Sequence, residues 1–188
     1  MQGFGEFSEF ELEEFGVKFP EDDTYSVAGA VGNLEESMNS KTVVKKYKGV
    51  EAKTRTKGTG AGEVKISMHI AYEVYKKMYG MNLDTLIDGV CAYGQNSVHP
   101  VFASTTKVRD EDGNVKFKAY PNCTVKEGMA RKVENGAEEV AEIELTIAVM
   151  PDETGNGLYE ALADELSEEV AGKWMTSFTP EMVQVSTV

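Results

Sequence analysis

Cysteine and histidine are nearly missing from this chain. Cys91 and Cys123 stand 32 residues apart, outside any CxxC or Cys/His ligand spacing, so neither a zinc site nor a disulfide framework is indicated. Both are expected as reduced core thiols. His69 and His99 are the only imidazoles, expected on a strand's polar face and in a loop; Cys91 with His99 is the one conceivable nucleophile and base, with no third group to orient it. The expectation is therefore no catalytic residue, no metal, no cofactor and no enzyme. No run approaches the roughly 18 uninterrupted apolar residues of a membrane span, and the opening MQGFGEFSEFELEEF has neither a basic n-region nor an apolar h-region. These absences predict a cytosolic product with no membrane anchor. Internal repeats, low-complexity tracts and a convincing linker are absent too, so 1–188 reads as one domain.

Acid is what the chain has in quantity. Thirty-two Asp and Glu against nineteen Lys and Arg give a net charge of −13, which argues against tight phosphate binding by the body as a whole. Apolar residues at 41% and charged residues at 27% are ordinary for a globular protein. A chain of this length can bury roughly 70% of its unfolded surface without disulfide or metal. The adjacent carboxylates Glu35 and Glu36, Glu138 and Glu139, and Glu168 and Glu169 diverge on a strand or helix, so solvated surface is expected for them.

Charge reverses in one place. Lys41, Lys45, Lys46, Lys48, Lys53, Arg55 and Lys57 face only Glu51, making Lys41 to Lys57 +6 and leaving −19 for the rest. Gly58, Gly60 and Gly62 follow, and then Val64, Ile66, Met68 and Ile70 alternate with polar residues. We read a long hairpin with a glycine tip. KGTGAGE is not read as a phosphate loop, since a strand and not a helix follows it. The basic stretch has three readings: a solvated hairpin, a nucleic-acid contact, or contact with an acidic copy of the same protein. Having only Tyr47 for stacking, it favours the third.

The remaining chain reads mostly as strands. Phe4 to Phe19 alternates with a slip near Glu13 and is expected to be an edge strand after a mobile tail; Tyr25 to Leu34 is a second strand through Val27, Ala30 and Val31. Val74, Tyr75, Met78 and Tyr79 predict a short helix ended by Gly80, with Leu83, Leu86 and Ile87 continuing its apolar cover and Val90 to Tyr93 a buried strand. Asp112-Gly113, between Val101–Val108 and Val115–Tyr120, predicts a hairpin, as does Asn135-Gly136 between Cys123–Val133 and Glu138–Met150. Ile143, Leu145, Ile147 and Val149 alternate most clearly, which sends Glu142 and Glu144 to the opposite face. Asn156 is expected to cap a helix bearing Leu158, Ala161, Leu162 and Leu166, and 173–188 to dock through Trp174, Met175, Phe178, Met182 and Val185. The sum is a mainly β (α+β) fold: a two-sheet sandwich with one or two short flanking helices and a protruding arm.

GVEAKTRTKGTGAGEVKISMHIAYEVYKKMYGMNLDTLIDGVCAYGQNS, then KAYPNCTVKEGMARKVENGAEEVAEIELTIAVMPDETGNGLYEAL and KWMTSFTPEMVQV, resembles the major tail (tail tube) proteins of phages and prophages of Gram-positive bacteria. The blocks cover most of the chain from Gly49 onwards; Met1 to Asn39 is least family-like. The resemblance implies a β-sandwich whose copies form hexameric rings, an inner sheet closing a barrel around a DNA channel, and rings stacked into a tube. A loop like Thr42 to Gly62 would reach the adjacent ring through Lys45, Lys46, Lys48, Lys53, Arg55, Lys57, Gly58 and Gly60. Glu142, Glu144 and Glu63 would face the lumen and keep DNA off the wall without specific binding. Tail tip, tape measure and tail terminator proteins would be partners, and the virion tail, assembled in the host cytoplasm, the location. The inner tube of a contractile tail or of a phage-tail-like bacteriocin particle, and a monomeric β-sandwich binding module, are the alternatives.

Overall fold

The computed structural model describes residues 7–29, 31–136 and 140–185. Its strands are β1 (Glu11–Lys18), β2 (Ser26–Ala28), β3 (Val31–Tyr47), β4 (Val50–Met68), β5 (Phe102–Arg109), β6 (Val115–Val125), β7 (Ile143–Val149) and β8 (Tyr159–Leu162). All pair antiparallel, in the order β2-β1-β5-β6-β7-β4-β3, with β8 added on β6. Two short helices, α1 (Tyr72–Met78) and α2 (Glu168–Ser177), complete a mainly β fold.

The hydrogen-bonded strands form one path, not two separate sheets, and β6 is the reason. One edge of β6 pairs β5 from Val115 to Cys123; the other pairs β8 at Lys116–Ala119 and then β7 at Cys123–Val125. Pro121, with no N–H to donate, sits at this changeover. The strands on either side of it bury one cluster that includes Phe15 and Val17 of β1, Val64, Ile66 and Met68 of β4, Tyr120 of β6, and Leu145, Ile147 and Val149 of β7. Strands far apart in the order thus share a core. The sheet does not close into a barrel within the chain, and β2 and β3 end its hydrogen-bonded path.

The period-two reading holds where it was clearest. Val64 pairs Ile147, Ile66 pairs Leu145 and Met68 pairs Ile143, all on the inner face, while Glu144 and Lys65 are exposed on the other. The Asp112-Gly113 hairpin forms, with the Asp110 carboxylate accepting from the Asp112 and Asn114 amides at 3.0 and 2.7 Å. The slip near Glu13 is a register shift between Leu12 and Glu14.

Other expectations need correction. β1 is not an edge strand, because β2 and β5 flank it; the tail expected before Phe4, and the start of that strand as far as Glu6, lie outside the described residues. The strand expected over Tyr25 to Leu34 divides into β2 and the start of β3, with Ala30 outside the described residues. Val90 to Tyr93 forms no strand: the Leu86 and Val90 amides bond to Leu83 and Ile87 in local turns, and Val90, Tyr93 and Ile87 are exposed. The strand from Cys123 stops at Val125 and its partner starts at Ile143, leaving Asn135-Gly136 in a longer connection; Glu138 lies outside the described residues.

Asn156 caps no helix. Tyr159 to Leu162 instead take ladder bonds from Lys116 to Ala119, which satisfy their backbone without helix formation. Helix α2 begins later, behind Ser167, whose hydroxyl accepts from the Val170 amide at 3.3 Å. The expected C-terminal docking is seen: Trp174, Met175 and Phe178 pack with Tyr25, Phe117 and Ala119 in a second cluster, and the Trp174 indole donates to the Lys118 carbonyl at 3.1 Å. Val185 is exposed, and 186–188 lie outside the described residues.

Leu145 is 2% exposed in the shared cluster, so Leu145→Ala is expected to cost about 2–5 kcal/mol in urea unfolding. A loss below about 0.5 kcal/mol would place its side chain outside the core.

Candidate assembly surface

β3 and β4 extend past the sheet as a two-stranded ribbon. From Asn39 to Thr59 every residue is exposed. Pairing runs from Ser40 opposite Gly58 to Tyr47 opposite Val50, so at about 3.3 Å per residue the ribbon reaches roughly 30 Å from its root. The tip is Lys48-Gly49, both at positive φ (51° and 81°), the backbone that a two-residue hairpin turn demands. The glycine tip expected at Gly58 to Gly62 is corrected by this register. Gly58 pairs Ser40 within the ribbon, Gly62 pairs Met38, and Gly60 lies at the root. A strand does follow KGTGAGE, as expected, because Gly58 to Glu63 belong to β4.

The root is where glycine is required. Gly60 has φ 74°, and a Cβ on Gly157 would lie 1.9 Å from the Gly60 carbonyl oxygen. The 152–157 turn therefore presses directly on β4. It is held by Asp152, whose carboxylate accepts from the Thr154 and Asn156 amides at 2.9 and 3.1 Å and from the Tyr159 hydroxyl at 2.6 Å. Burial opposes the charge on Asp152, but the Tyr159 and Thr154 bonds outweigh it and hold the carboxyl below its ordinary range. Asn156, expected as a helix cap, donates here to the Thr154 hydroxyl at 2.9 Å.

The register separates the ribbon's two faces. Lys41 is opposite Lys57, Val43 opposite Arg55 and Lys45 opposite Lys53 on one face; Thr42 is opposite Thr56 and Val44 opposite Thr54 on the other. The Thr42 and Thr56 hydroxyls meet at 2.9 Å, as same-face partners should. Lys46 and Lys48 sit beyond, near the tip.

Glu63 and Glu144 lie on the outer face of the β3-β4-β7 part of the sheet, and Glu142 immediately precedes β7 with its carboxylate over Gly32. Sequence reading missed the cations among them. Lys126 donates to Glu63 at 2.5 Å and Lys65 stands 4.0 Å from it, so hydrogen bonding to Lys126 outweighs desolvation and lowers the Glu63 carboxyl.

Sequence reading also missed a buried charge. Lys118 on β6 has no exposed surface; its ammonium donates to Glu9 at 2.9 Å and to Glu36 of β3, which also accepts from the Tyr120 hydroxyl. Glu36 was expected in solvent but points inward with Leu34 and Met38, opposite the core residue Val64. The signal available was its parity. Burial would lower the Lys118 ammonium, but its bonds to Glu36 and Glu9 win and raise it.

No family model matches the chain, and no curated protein matches it. Among solved structures it is similar to a chain in the cryo-EM structure of the anti-feeding prophage cap, a tube-terminating cap. That match covers 86% of this chain and 98% of that one, at 9% identity and a TM-score of 0.48.

The histidines and thiols do not converge. His99 bonds the Val125 carbonyl at 2.8 Å and the Tyr93 hydroxyl at 3.2 Å, a bracing role, while Cys91 meets the Tyr72 hydroxyl at 3.2 Å. His69 lies just past the end of β4, exposed, rather than within a strand. Cys91 is half-buried, not a core thiol; Cys123 is core, and burial pushes its thiol up to about 12. Among the described residues no helix is long and apolar enough to cross a membrane.

Replacing Lys118 by Met leaves the Glu36 carboxylate without its ammonium, so a loss of about 3–5 kcal/mol is expected in denaturant unfolding, against less than about 1 kcal/mol for Glu9→Gln, since Glu9 is partly exposed and also meets Lys116. The Glu9 carboxyl is lowered in the fold: burial opposes this, but Lys118 and Lys116 prevail. Its contribution is therefore present above the unfolded pKa of about 4.3 and is lost as pH falls through the lowered folded value. Stability of Glu9→Gln that falls short of wild type by its full margin above about pH 4.3, and converges on it as pH drops below that value through the lowered folded pKa, is the expected signature.

Proposed function

We propose that the chain is a structural virion component and not an enzyme: a tail-tube subunit whose copies form hexameric rings, stacked into the tube that conducts DNA from capsid to host cell. The observation that carries this is the ribbon, some twenty residues of exposed strand anchored at its root and packed, among the described residues, on no other element of its own chain. A two-stranded ribbon with both faces exposed is costly in entropy to order and invites an intermolecular contact. The β2 and β3 ends of the sheet give a second motive, since closure with neighbours removes open edges. The resemblance of the quoted sequence blocks to major tail proteins supports the same reading.

In this reading two packed layers, joined through β6, serve as the sandwich, and β3, β4 and β7 join neighbours' strands to close the barrel. Lys45, Lys46, Lys48, Lys53, Arg55 and Lys57 contact the next ring, while Gly58 and Gly60 shape the ribbon's base. Glu142, Glu144 and Glu63 face the lumen, where the free carboxylates repel DNA and Lys65 and Lys126 offset part of that field. Tail tip, tape measure and terminator proteins would meet the tube's ends, no cofactor is needed, and the place of action is the virion tail, assembled in host cytoplasm.

Excising Lys41–Lys57 and joining Ser40 to Gly58 by a two-residue Asn-Gly turn tests the arm. Stability should change by no more than about 0.5 kcal/mol, since everything removed is exposed. Electron microscopy should show tubes for the native chain and none for the variant; tubes of normal length would remove the arm from this role. A native chain that is a monomer at all concentrations would favour a binding module.

Glu142→Lys with Glu144→Lys should preserve folding and assembly yet make tubes that retain DNA, with retention falling steeply as salt rises. DNA release unchanged at low ionic strength would put these residues on another wall.

A further inference from the structure

The ribbon's cations differ from most others in the chain by how little they are compensated. Ten of the twelve body cations, Lys65, Lys77, Lys118 and Lys173 among them, are ion-paired, and the other two, Lys18 and Arg131, lie over tyrosine rings, whereas among the described residues none of the seven between Lys41 and Lys57 has an ion-pair partner. Five of them, Lys41, Lys45, Lys53, Arg55 and Lys57, share one face, with Lys41 directly opposite Lys57 and Lys45 opposite Lys53. Like charges paired across a strand destabilise the ribbon unless something anionic covers them. The reverse face, Thr42, Val44, Thr54 and Thr56, is uncharged until Lys46 stands opposite Glu51 near the tip, where the two charges balance.

The same chain holds the opposite surface. From Asp152 to Gly172 there are seven carboxylates and no Lys or Arg. Asp164, Glu165 and Glu168, spanning the 3₁₀ turn after β8 and the first turn of α2, are exposed and have no ion-pair partner among the described residues. Lys53, Arg55 and Lys57 span about 13 Å along their strand, the same order as the Asp164–Glu168 segment, whose backbone is extended at Leu166 and Ser167. The chain's own ribbon does not pair with its own segment, so the two meet only between molecules.

We propose that the cationic face of the ribbon docks on the Asp164–Glu168 segment of a second copy of this chain, while the Thr/Val face does not take part. This rests on the assembly reading above and deepens it by naming the two surfaces. A nucleic acid is the weaker fit, because between 41–45 and 53–57 the face has no aromatic ring on which a base could stack.

The test is a charge exchange on the full chain. One variant carries Lys45→Glu, Lys53→Glu and Arg55→Glu; the other carries Asp164→Lys, Glu165→Lys and Glu168→Lys. Thermal unfolding first establishes that both fold, and sedimentation velocity with electron microscopy then follows assembly at low and high salt. Each variant alone should need about tenfold or more protein to assemble, whereas an equimolar mixture should assemble near the native concentration, because every contact in it is again complementary. Thr54→Glu with Thr56→Glu, on the reverse face, should leave assembly unchanged. If the native chain assembles but the arm variant matches it, or the mixture stays dissociated, the docking falls while the assembly reading stands. A native chain that never assembles overturns both, and binding of duplex DNA through the same lysines without self-association replaces this proposal by a nucleic-acid contact.

Discussion

A lysine with no exposed surface holds the two parts of this sheet in register. Lys118 lies on β6, where the strand still pairs β5 and β8, and its ammonium reaches Glu36 on β3, at the far end of the strand order. An ammonium buried without partners would cost several kcal/mol, so the arrangement is stable only while Glu36 stays close, with the more exposed Glu9 adding to it. That makes the contact a geometric constraint more than a source of net stability. It fixes where β3 lies over the core, and the ribbon is the continuation of β3 and its partner. The direction of the arm is thus decided inside the body.

The turn at Asp152 completes the constraint from the other strand. Gly60 and Gly157 touch backbone to backbone, and side chains on either would force β4 away from the turn. With β3 tied by Glu36 and β4 by Gly60, the ribbon leaves the body from two fixed points. An arm on a flexible root would lose more entropy on docking than this one, which is ordered beforehand.

Sequence legibility followed the range of the interaction. Ile143 to Val149 and Val64 to Met68 were readable because one face is wet and one dry, which alternation reports directly. Asp112-Gly113 was readable because the turn is set by four residues. Tyr159 to Leu162 was misread because what decides its conformation is a ladder with Lys116 to Ala119, forty or more residues away. The ribbon's tip was misplaced for a related reason: Gly58, Gly60 and Gly62 outnumber the single Gly49, yet Lys48-Gly49 is where the register turns. Glycine was counted as a turn signal when at Gly60 it answers a close approach. Lys118 was invisible because a lysine between Phe117 and Ala119 looks like the wet side of an edge strand, and only β3 folded over it makes that side dry.

Charge is arranged in this molecule by distance from the core. In the body, cations such as Lys77, Lys107 and Lys116 sit against carboxylates of neighbouring strands and loops, where each exposed pair is worth about 0–1 kcal/mol and serves mainly to keep like charges apart. On the ribbon the cations have no such neighbours and are set beside one another. The screening length at physiological salt is about 8 Å, so at roughly 30 Å from the root the acidic body cannot neutralise them. Their field is therefore local and directed from one face, which favours a partner whose acids are equally local. A diffuse acidity of −19 would attract such a face without orienting it; a short carboxylate segment on a rigid turn would do both. On this argument net charge governs how readily copies approach one another, and the register of the ribbon governs how they fit.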